Sequence, residues 1–438
     1  MFTTLKNAWK IPDLRKKLLF TLFVVVVFRF GAVIPVPFLD VTALNELMNN
    51  VAQEGSALGY INMLTGGAFS RATLFAMGIT PYINSSIIMQ LLQIAIPALE
   101  RIGKEGEEGR KKIAAITRYV TVAIGLIEGA AYYWYLRSTG VVTHTSGASG
   151  VFVAIIIVFA FTAGTALIMW MGEQINEKGI GNGISIILFA GIVARLPVTL
   201  GGVWEFFNMA ITDPTANGKY FLFAPLFLLM FLAVIWVIVF MNEAERRIPV
   251  QYAKKVVGRK MYGGQSSFLP IKVAMSGVMP VIFASAILSA PSIIELFVGK
   301  PESGFWKGFF DAFSSTGWLY SVLYFLLIIM FAYFYMSVQY NPLEMANNLR
   351  QSNGTIPGIR PGRPTGDFIA KILSKITLIG ALFLAFIALV PILYGNVTGM
   401  TTLSVGGTSI IIMVGVALET VKQLESQMMM RHYKGFLD

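Results

Sequence analysis

The fold is decided by a short stretch in the first quarter of the chain, Gly78-Ile79-Thr80-Pro81-Tyr82-Ile83-Asn84-Ser85-Ser86-Ile87-Ile88. A related stretch follows in the second half, Gly277-Val278-Met279-Pro280-Val281-Ile282-Phe283-Ala284-Ser285-Ala286-Ile287. When the two are aligned from their glycines, further residues coincide: Pro81 with Pro280, Ile83 with Ile282, Ser86 with Ser285 and Ile88 with Ile287. A proline inside an apolar helix removes a backbone donor and clashes with the preceding turn. Two such interrupted helices in corresponding halves indicate a site near the middle of a membrane.

The composition around these stretches is that of a membrane protein. The chain has 438 residues, of which 55% are hydrophobic and 13% are charged, whereas soluble domains carry about 25% charged residues. Ten apolar runs are long enough to span a bilayer when interior glycine and proline are tolerated. They are residues 18–39, 73–99, 113–136, 151–171, 183–209, 220–241, 273–298, 318–338, 369–393 and 403–424.

The distribution of positive charge predicts the orientation. Most of the 34 lysine and arginine residues fall at the amino terminus, at the carboxyl terminus and in alternate loops. Under the positive-inside rule this bias places both termini in the cytoplasm and supports an even number of spans.

A second pair of matching spans completes the repeat. Gly183, Ser185, Ile186 and Leu188 in the fifth span align with Gly407, Ser409, Ile410 and Ile412 in the tenth span. An odd number of spans in each half gives the halves opposite orientations. We therefore predict an all-α polytopic protein in which two inverted five-helix halves, residues 1–212 and 213–438, surround a central pore.

The segment between the first two spans, at about residues 58–71, is apolar but too short to cross a bilayer. Such a segment is either a surface loop or a re-entrant piece of chain folded back into the bundle, and its apolar content favours the second interpretation. The candidate residues are Tyr60, Ile61, Asn62, Met63, Leu64, Thr65, Gly66, Gly67, Ala68, Phe69 and Ser70.

Two long basic loops, residues 242–272 and 341–367, predict docking surfaces for RNA phosphate or for an acidic protein face. The positive-inside rule alone explains charge in short loops, but not the length of these two or their interior prolines and glycines. The candidate docking residues are Lys254, Lys255, Arg259, Lys260, Arg360 and Arg363.

Several chemistries are excluded by missing residues. The chain has no cysteine, so disulfides, thiolate-bound metals and thiol catalysis are excluded. No GxxxxGK[ST] stretch occurs, so we expect no ATPase activity of its own, and no cofactor, metal site or catalytic residue is predicted.

Only Glu128 and Glu205 are candidates for carboxylates within the membrane, and both lie nearer its boundary than its middle. Branched apolar residues at mid-depth favour a constriction that excludes water. A secondary transporter and a membrane enzyme or scaffold remain as alternatives.

The chain resembles the SecY family of protein-conducting channel subunits over essentially its whole length. The stretches that carry the resemblance are Arg29-Phe30-Gly31 with Ile34-Pro35-Val36-Pro37, Pro81-Tyr82-Ile83, Gly179-Ile180-Gly181-Asn182-Gly183-Ile184-Ser185, Gln251-Tyr252-Ala253, Leu269-Pro270-Ile271-Lys272, Asn341-Pro342 with Glu344 and Asn348-Leu349, and Pro357-Gly358-Ile359-Arg360-Pro361-Gly362. Phe38 and Leu188 stand where glycine and isoleucine are common in the family.

The resemblance implies an hourglass pore in the bacterial cytoplasmic membrane. Its waist would be a ring of Ile83, Ile87, Ile184, Leu188, Ile282 and Ile412, and the segment Tyr60–Ser70 would be a plug on its outer side. Spans 2 and 3 against spans 7 and 8 would form a lateral gate that releases transmembrane segments and signal sequences into lipid. The resemblance also implies SecE and SecG as further subunits, and SecA or the ribosome on the basic loops as the source of energy for moving nascent polypeptides.

Overall fold

The computed structural model describes residues 2–40, 42–44, 62, 65–144, 146–252, 255–257, 260–262, 266–275, 277–298, 304–313, 317–400 and 407–434. Helices dominate these residues. In chain order they are α1 Phe2–Lys10, α2 Pro12–Gly31, a 3-10 turn Phe69–Arg71, α3 Thr80–Ala95, α4 Pro97–Lys104, α5 Glu107–Ser138, α6 Gly147–Lys178, α7 Gly183–Val193, α8 Leu196–Thr212, α9 Pro214–Asn217, α10 Tyr220–Glu243, α11 Met279–Val298, α12 Phe305–Ala312, α13 Trp318–Gln339, α14 Pro342–Gln351, α15 Arg363–Thr398 and α16 Gly407–Lys434.

Within the described ranges, seven helical units are long and apolar enough to cross a membrane. An eighth is the pair α3 and α4, which meet at an angle of 103°. The remaining two predicted spans correspond to α2 and α11, each of 20 residues. Helix α2 carries Arg15, Lys16 and Lys17 at one end and Arg29 at the other. These charged residues lower the mean hydropathy of the helix. The chain is a multi-span membrane protein, and the prediction of ten spans is consistent with this arrangement.

The two aligned stretches begin their helices instead of interrupting them. Helix α3 starts at Thr80 and helix α11 at Met279, so Pro81 and Pro280 lie in the first turn. A backbone donor is not needed there, and the fixed φ of proline suits a helix start. The preceding glycines adopt left-handed conformations, with φ of 56° at Gly78 and 58° at Gly277. The expectation of a proline inside each helix was therefore wrong, although the repeat itself has the same backbone form in both copies.

Prolines also mark the other breaks. Helix α3 ends at Ala95 and α4 begins at Pro97, where the chain turns sharply. The predicted fifth span consists of two helices, α7 and α8, separated at Ala194 and Arg195 and followed by Pro197. A residue that precedes proline is pushed out of the helical region, and Ile96 before Pro97 is extended, with φ of −111° and ψ of 109°. The second break is different, because Ala194, Arg195 and Leu196 keep helical backbone and Pro197 lies in the first turn of α8.

The two basic loops form sheets that the sequence analysis did not predict. Strands β1 Glu245–Tyr252 and β4 Ser266–Lys272 pair in antiparallel register, with Glu245 opposite Lys272. Strand β5 Gly354–Thr355 pairs with the other edge of β1, giving the order β4-β1-β5. Strands β2 Lys255–Val257 and β3 Lys260–Tyr262 form a separate hairpin. The loops 242–272 and 341–367 are therefore joined through one sheet.

Two hydrophobic clusters form the centre of the bundle. The first collects side chains from α2, α3, α6, α7, α11 and α16, including Phe28, Ile168, Leu188, Ile282 and Ile412. The second lies among α10, α11, α13, α15 and α16. Helices α11 and α16 contribute to both clusters, which places the residues of the repeated motifs at the junction between them.

Candidate functional site

A cavity of about 810 Å³ opens into the bundle beside the sheet. Its wall near the sheet includes Asn242, Lys272, Gln339 and Lys422. Ile412 lines the same cavity and lies ten residues before Lys422 on α16, which corresponds to about 15 Å of helical rise. The cavity is therefore deep, with a polar mouth and an aliphatic inner end.

The inner end gathers five of the six residues predicted for the ring. Ile83, Ile184, Leu188, Ile282 and Ile412 all line the cavity and all belong to the first hydrophobic cluster. They come from α3, α7, α11 and α16, so both aligned pairs of the repeat contribute. Leu188, Ile282 and Ile412 are buried, with exposed fractions of 5%, 7% and 1%.

Ile87 is not brought to this place. It packs against the second hydrophobic cluster, while its neighbour Ser86 and the more distant Gln90 line the cavity. Ile87 lies one turn after Ile83 on α3, about 40° around the helix, yet of the two only Ile83 lines the cavity. The membership of Ile87 in the ring, which the resemblance implies, stays a prediction.

The start of α7 is fixed by polar residues that the sequence analysis missed. The Asn182 carboxamide oxygen accepts hydrogen bonds from the backbone nitrogens of Ile184 at 3.1 Å and Ser185 at 3.3 Å. The Gly183 nitrogen donates to Asn176 Oδ1 at 2.8 Å, and a Cβ on Gly183 would collide with the Gly172 carbonyl of α6. These contacts orient Ile184 and Leu188 towards the cavity. An asparagine directly before an apolar helix is a capping signal and was available in the sequence.

The segment predicted as the plug is described only in part. Tyr60, Ile61, Met63 and Leu64 lie outside the described residues, whereas Asn62 and residues 65–70 lie within them. The exposed fractions of Thr65, Ala68 and Phe69 are 2%, 1% and 3%. This part of the chain is buried between helices, which agrees with the re-entrant interpretation and not with a surface loop.

Internal hydrogen bonds give the segment a compact shape. The Gly67 nitrogen donates to the Asn62 carbonyl at 2.8 Å, and the Ser70 nitrogen donates to Asn62 Oδ1 at 3.0 Å. The Phe69 nitrogen donates to Thr65 Oγ1 at 3.2 Å. Backbone polar groups buried at this depth must be satisfied within the protein, and these bonds satisfy several of them.

Two side chains from the helices hold the segment in place. Arg29 Nη1 of α2 donates to the Gly66 carbonyl at 3.5 Å. The Tyr132 hydroxyl of α5 donates to the Phe69 carbonyl at 2.6 Å, and its ring stacks on Phe69 at 4.3 Å between centroids. A Cβ on Gly66 would lie 2.9 Å from the Gly191 carbonyl of α7. The segment therefore rests against the helix that carries Leu188.

The predicted docking residues are divided between two places. Lys254 and Arg259 fall outside the described ranges, whereas Lys255 and Lys260 belong to strands β2 and β3. Arg360 precedes α15, where its carbonyl accepts a hydrogen bond from Thr365 Oγ1 at 2.8 Å, and Arg363 begins that helix. The two groups are connected through the pairing of β1 with β5.

Glu128, one of the two carboxylates predicted to lie in the membrane, joins two helices through a hydrogen bond. Glu128 Oε1 of α5 accepts a hydrogen bond from Asn84 Nδ2 of α3 at 2.9 Å, and neither residue lines the cavity. Among the residues that the structure describes, no three His, Cys, Asp or Glu side chains gather in a way that would hold a metal ion.

Comparison with known proteins places the chain among translocation channels. The SecY family model matches residues 73–421. The protein translocase subunit SecY of Bacillus subtilis (strain 168) is 43% identical over 447 residues, covering 100% of both chains.

Solved structures share the fold at low sequence identity. A structure described as showing that the plug domain of the SecY protein stabilises the closed state of the translocation channel matches with a TM-score of 0.63 and 19% identity, covering 94% of this chain and 92% of the other. Sec61 in the canine ribosome-channel complex matches with a TM-score of 0.59 and 18% identity, covering the same shares of the two chains. The fold, the family model and the full-length relative agree, and the chain belongs to the SecY family.

Proposed function

We propose that this chain forms the pore of a protein-conducting channel that passes unfolded secretory polypeptides across the membrane and releases transmembrane segments sideways into lipid. The observation that carries the proposal is the convergence of Ile83, Ile184, Leu188, Ile282 and Ile412 at the inner end of a deep cavity with a polar mouth.

An aliphatic constriction suits a substrate of variable sequence. Branched apolar side chains make weak contacts without direction, so they favour no particular polypeptide and offer no polar group that would retain one. When the channel is idle, the same side chains exclude water and therefore ions. The buried segment that includes Thr65–Ser70 packs against α7 beside this constriction, which supports its role as a plug.

A lateral exit is supported by the helices that meet at the junction of the two clusters. Helices α3 and α5 lie on one side and α11 and α13 on the other, and α5 contacts α11. Separation of these pairs would open the cavity towards lipid, and it would part Ile282 and Ile412 from the side chains of the first half that they pack against in the first hydrophobic cluster. The halves that would move are residues 1–212 and 213–438.

The energy for transport would come from partners. The basic residues of the two sheet-forming loops support docking of SecA or of a ribosome, with Lys254, Lys255, Arg259, Lys260, Arg360 and Arg363 as the contact set. SecE and SecG would complete the channel. The same charge bias supports a cytoplasmic location for the sheet and for both termini, in a bacterial inner membrane, and the chain itself would carry no catalytic activity.

Conductance measurements test the constriction. The double variant Ile83→Asn with Ile282→Asn, reconstituted in planar bilayers, should conduct ions in the resting state because amides at the narrow point hold water. Ile87→Asn is the matched control, since Ile87 lies on the same helix as Ile83 but outside the cavity lining. Conductance equal to that of the unmodified channel in the double variant would refute the constriction, and equal leakage in all variants would indicate general loss of packing.

A further inference from the structure

Three arginines lie next to the buried segment in the chain or in its packing. Arg29 lies in the last turn of α2, Arg71 ends the 3-10 turn Phe69–Arg71 with which the segment closes, and Arg195 lies between α7 and α8. Arg71 is five residues beyond Gly66, whose carbonyl accepts from Arg29 Nη1 at 3.5 Å. Arg29 and Arg195 are half-buried, and Arg71 is exposed.

Arg29 and the carboxyl end of α7 meet at Gly66. Arg29 Nη1 is 2.5 Å from the position that a Cβ on Gly66 would take, and the Gly191 carbonyl is 2.9 Å from the same point. Arg195 lies one helical turn after Gly191, and Arg71 lies on the segment itself. A Cβ on Gly67 would meet nothing within 4 Å, so there is open space beside the segment.

No described carboxylate neutralises this charge. Within the described part of the chain, the ion pairs involve other cations, namely Lys104, Lys112, Arg118 and Arg247. The Asp40 carboxylate at the same end of α2 already accepts hydrogen bonds from the Thr42 hydroxyl and backbone nitrogen. The carboxyl ends of α2 and α7 each offer about half a negative charge and the amino end of α8 about half a positive charge, so the described groups leave an excess of about 2.5 positive charges.

We infer that a small inorganic anion binds among Arg29, Arg71 and Arg195 and stabilises the resting position of the buried segment. Guanidinium groups are weakly hydrated and hold anions through charge-assisted hydrogen bonds. A free anion fits better than a lipid headgroup, because Arg29 is directed at the Gly66 carbonyl inside the protein. Movement of the segment would separate the groups that form the site and release the anion.

Binding can be measured without any assay of translocation. The full channel in lipid-free detergent should bind radioactive chloride saturably, with about one site per chain. Replacement of gluconate by chloride at constant ionic strength should raise the thermal unfolding midpoint by about 3 °C. Arg71→Gln should lose both effects, and because Arg71 is exposed this change threatens folding least. Arg101→Gln, an exposed arginine on α4, should retain both.

Several outcomes would overturn the inference. One is the absence of saturable chloride binding, and another is an equal response in Arg71→Gln and Arg101→Gln. Stabilisation by phosphatidylglycerol but not by chloride would assign the site to lipid. Chloride could also fail to raise the unfolding midpoint of the unmodified channel but raise that of Glu46→Gln or Glu54→Gln. In that case a carboxylate of the chain itself occupies the site. Because none of these readouts involves transport, failure here leaves the proposed channel function untouched.

Discussion

Tyr132 shows how a single side chain can combine packing with a polar tether. It is buried, with an exposed fraction of 2%, and its ring lies between Phe69 and Phe161, at 4.3 Å and 5.2 Å between centroids. Its hydroxyl donates to the Phe69 carbonyl. The ring anchors the base of the buried segment, and the hydroxyl is a second donor to a carbonyl that also accepts from the Ala72 nitrogen at 3.0 Å.

We expect Tyr132→Phe to destabilise the folded channel by about 0.5–1.5 kcal/mol, because the Phe69 carbonyl loses one of its two donors while the stacked ring remains. Thermal unfolding of the purified channel measures the effect. Tyr119→Phe on the same helix is the control, since Tyr119 has an exposed fraction of 76%. Equal stability of the two variants would show that the hydroxyl contributes nothing to retention of the segment.

At the scale of elements, the buried segment packs closely against the turn that begins α3. A left-handed glycine, Gly78, turns the chain into α3, and its missing side chain leaves room for Thr65. A Cβ built on Gly78 would lie 3.6 Å from the Thr65 Cβ, which is within the usual separation of about 3.5–4.5 Å for a disulfide. The chain contains no cysteine of its own, so an introduced pair would have no competitors.

Thr65→Cys combined with Gly78→Cys should therefore form a disulfide that locks the segment to α3. Translocation into vesicles should fall to background under oxidising conditions and recover after reduction. Left-handed backbone at position 78 costs a non-glycine residue about 1–2 kcal/mol, so the Gly78→Cys single variant is the control for that strain. Full transport by the oxidised double variant would contradict the view that the segment must move.

The helices also show which features can be predicted from the sequence and which depend on tertiary packing. The Gly-x-x-Pro repeat predicted two equivalent helices, and the glycines at 78 and 277 have nearly the same φ. The role given to the prolines was wrong, because hydropathy marks an apolar run but not where its helix begins. Ile87 was expected beside Ile83 from motif position, whereas its packing depends on neighbours from α10 to α16 that no local pattern reveals.

At the scale of the whole molecule, the sheet joins parts of the chain that are far apart in sequence. Gln251 and Tyr252 pair with Thr355 and Gly354, and Thr355 Oγ1 donates to the Gln251 carbonyl at 3.2 Å. Strand β5 has only two residues, too few for a period of two to stand out in the sequence. Both basic loops are apparent from the sequence, but their union in one structural unit is not, because it depends on this short pairing.

Charge reversal tests the docking role of this unit. Arg360→Glu should reduce SecA-driven translocation by roughly tenfold, equivalent to about 1.4 kcal/mol of lost affinity, because it presents a like charge to an acidic partner. Membrane insertion of the channel should be unchanged. Lys307→Glu on α12, beyond the far end of α11, is the control. Equal transport by both variants would count against docking at Arg360.

The two hydrogen bonds that hold the buried segment to α2 and α5 bear on which amino acids the segment can contain. Arg29 and Tyr132 both bond to main-chain oxygens, at Gly66 and Phe69. A main-chain oxygen is present whatever amino acid occupies the position, so these two tethers are uncoupled from the identity of the residues at 66 and 69. Side chains still matter where they bond or pack within the segment, at Asn62, Thr65 and Phe69. At position 66, Arg29 and Gly191 leave no space for a side chain, and Gly67 has a left-handed backbone. A segment of foreign sequence that keeps these five residues should therefore be seated as the native one is.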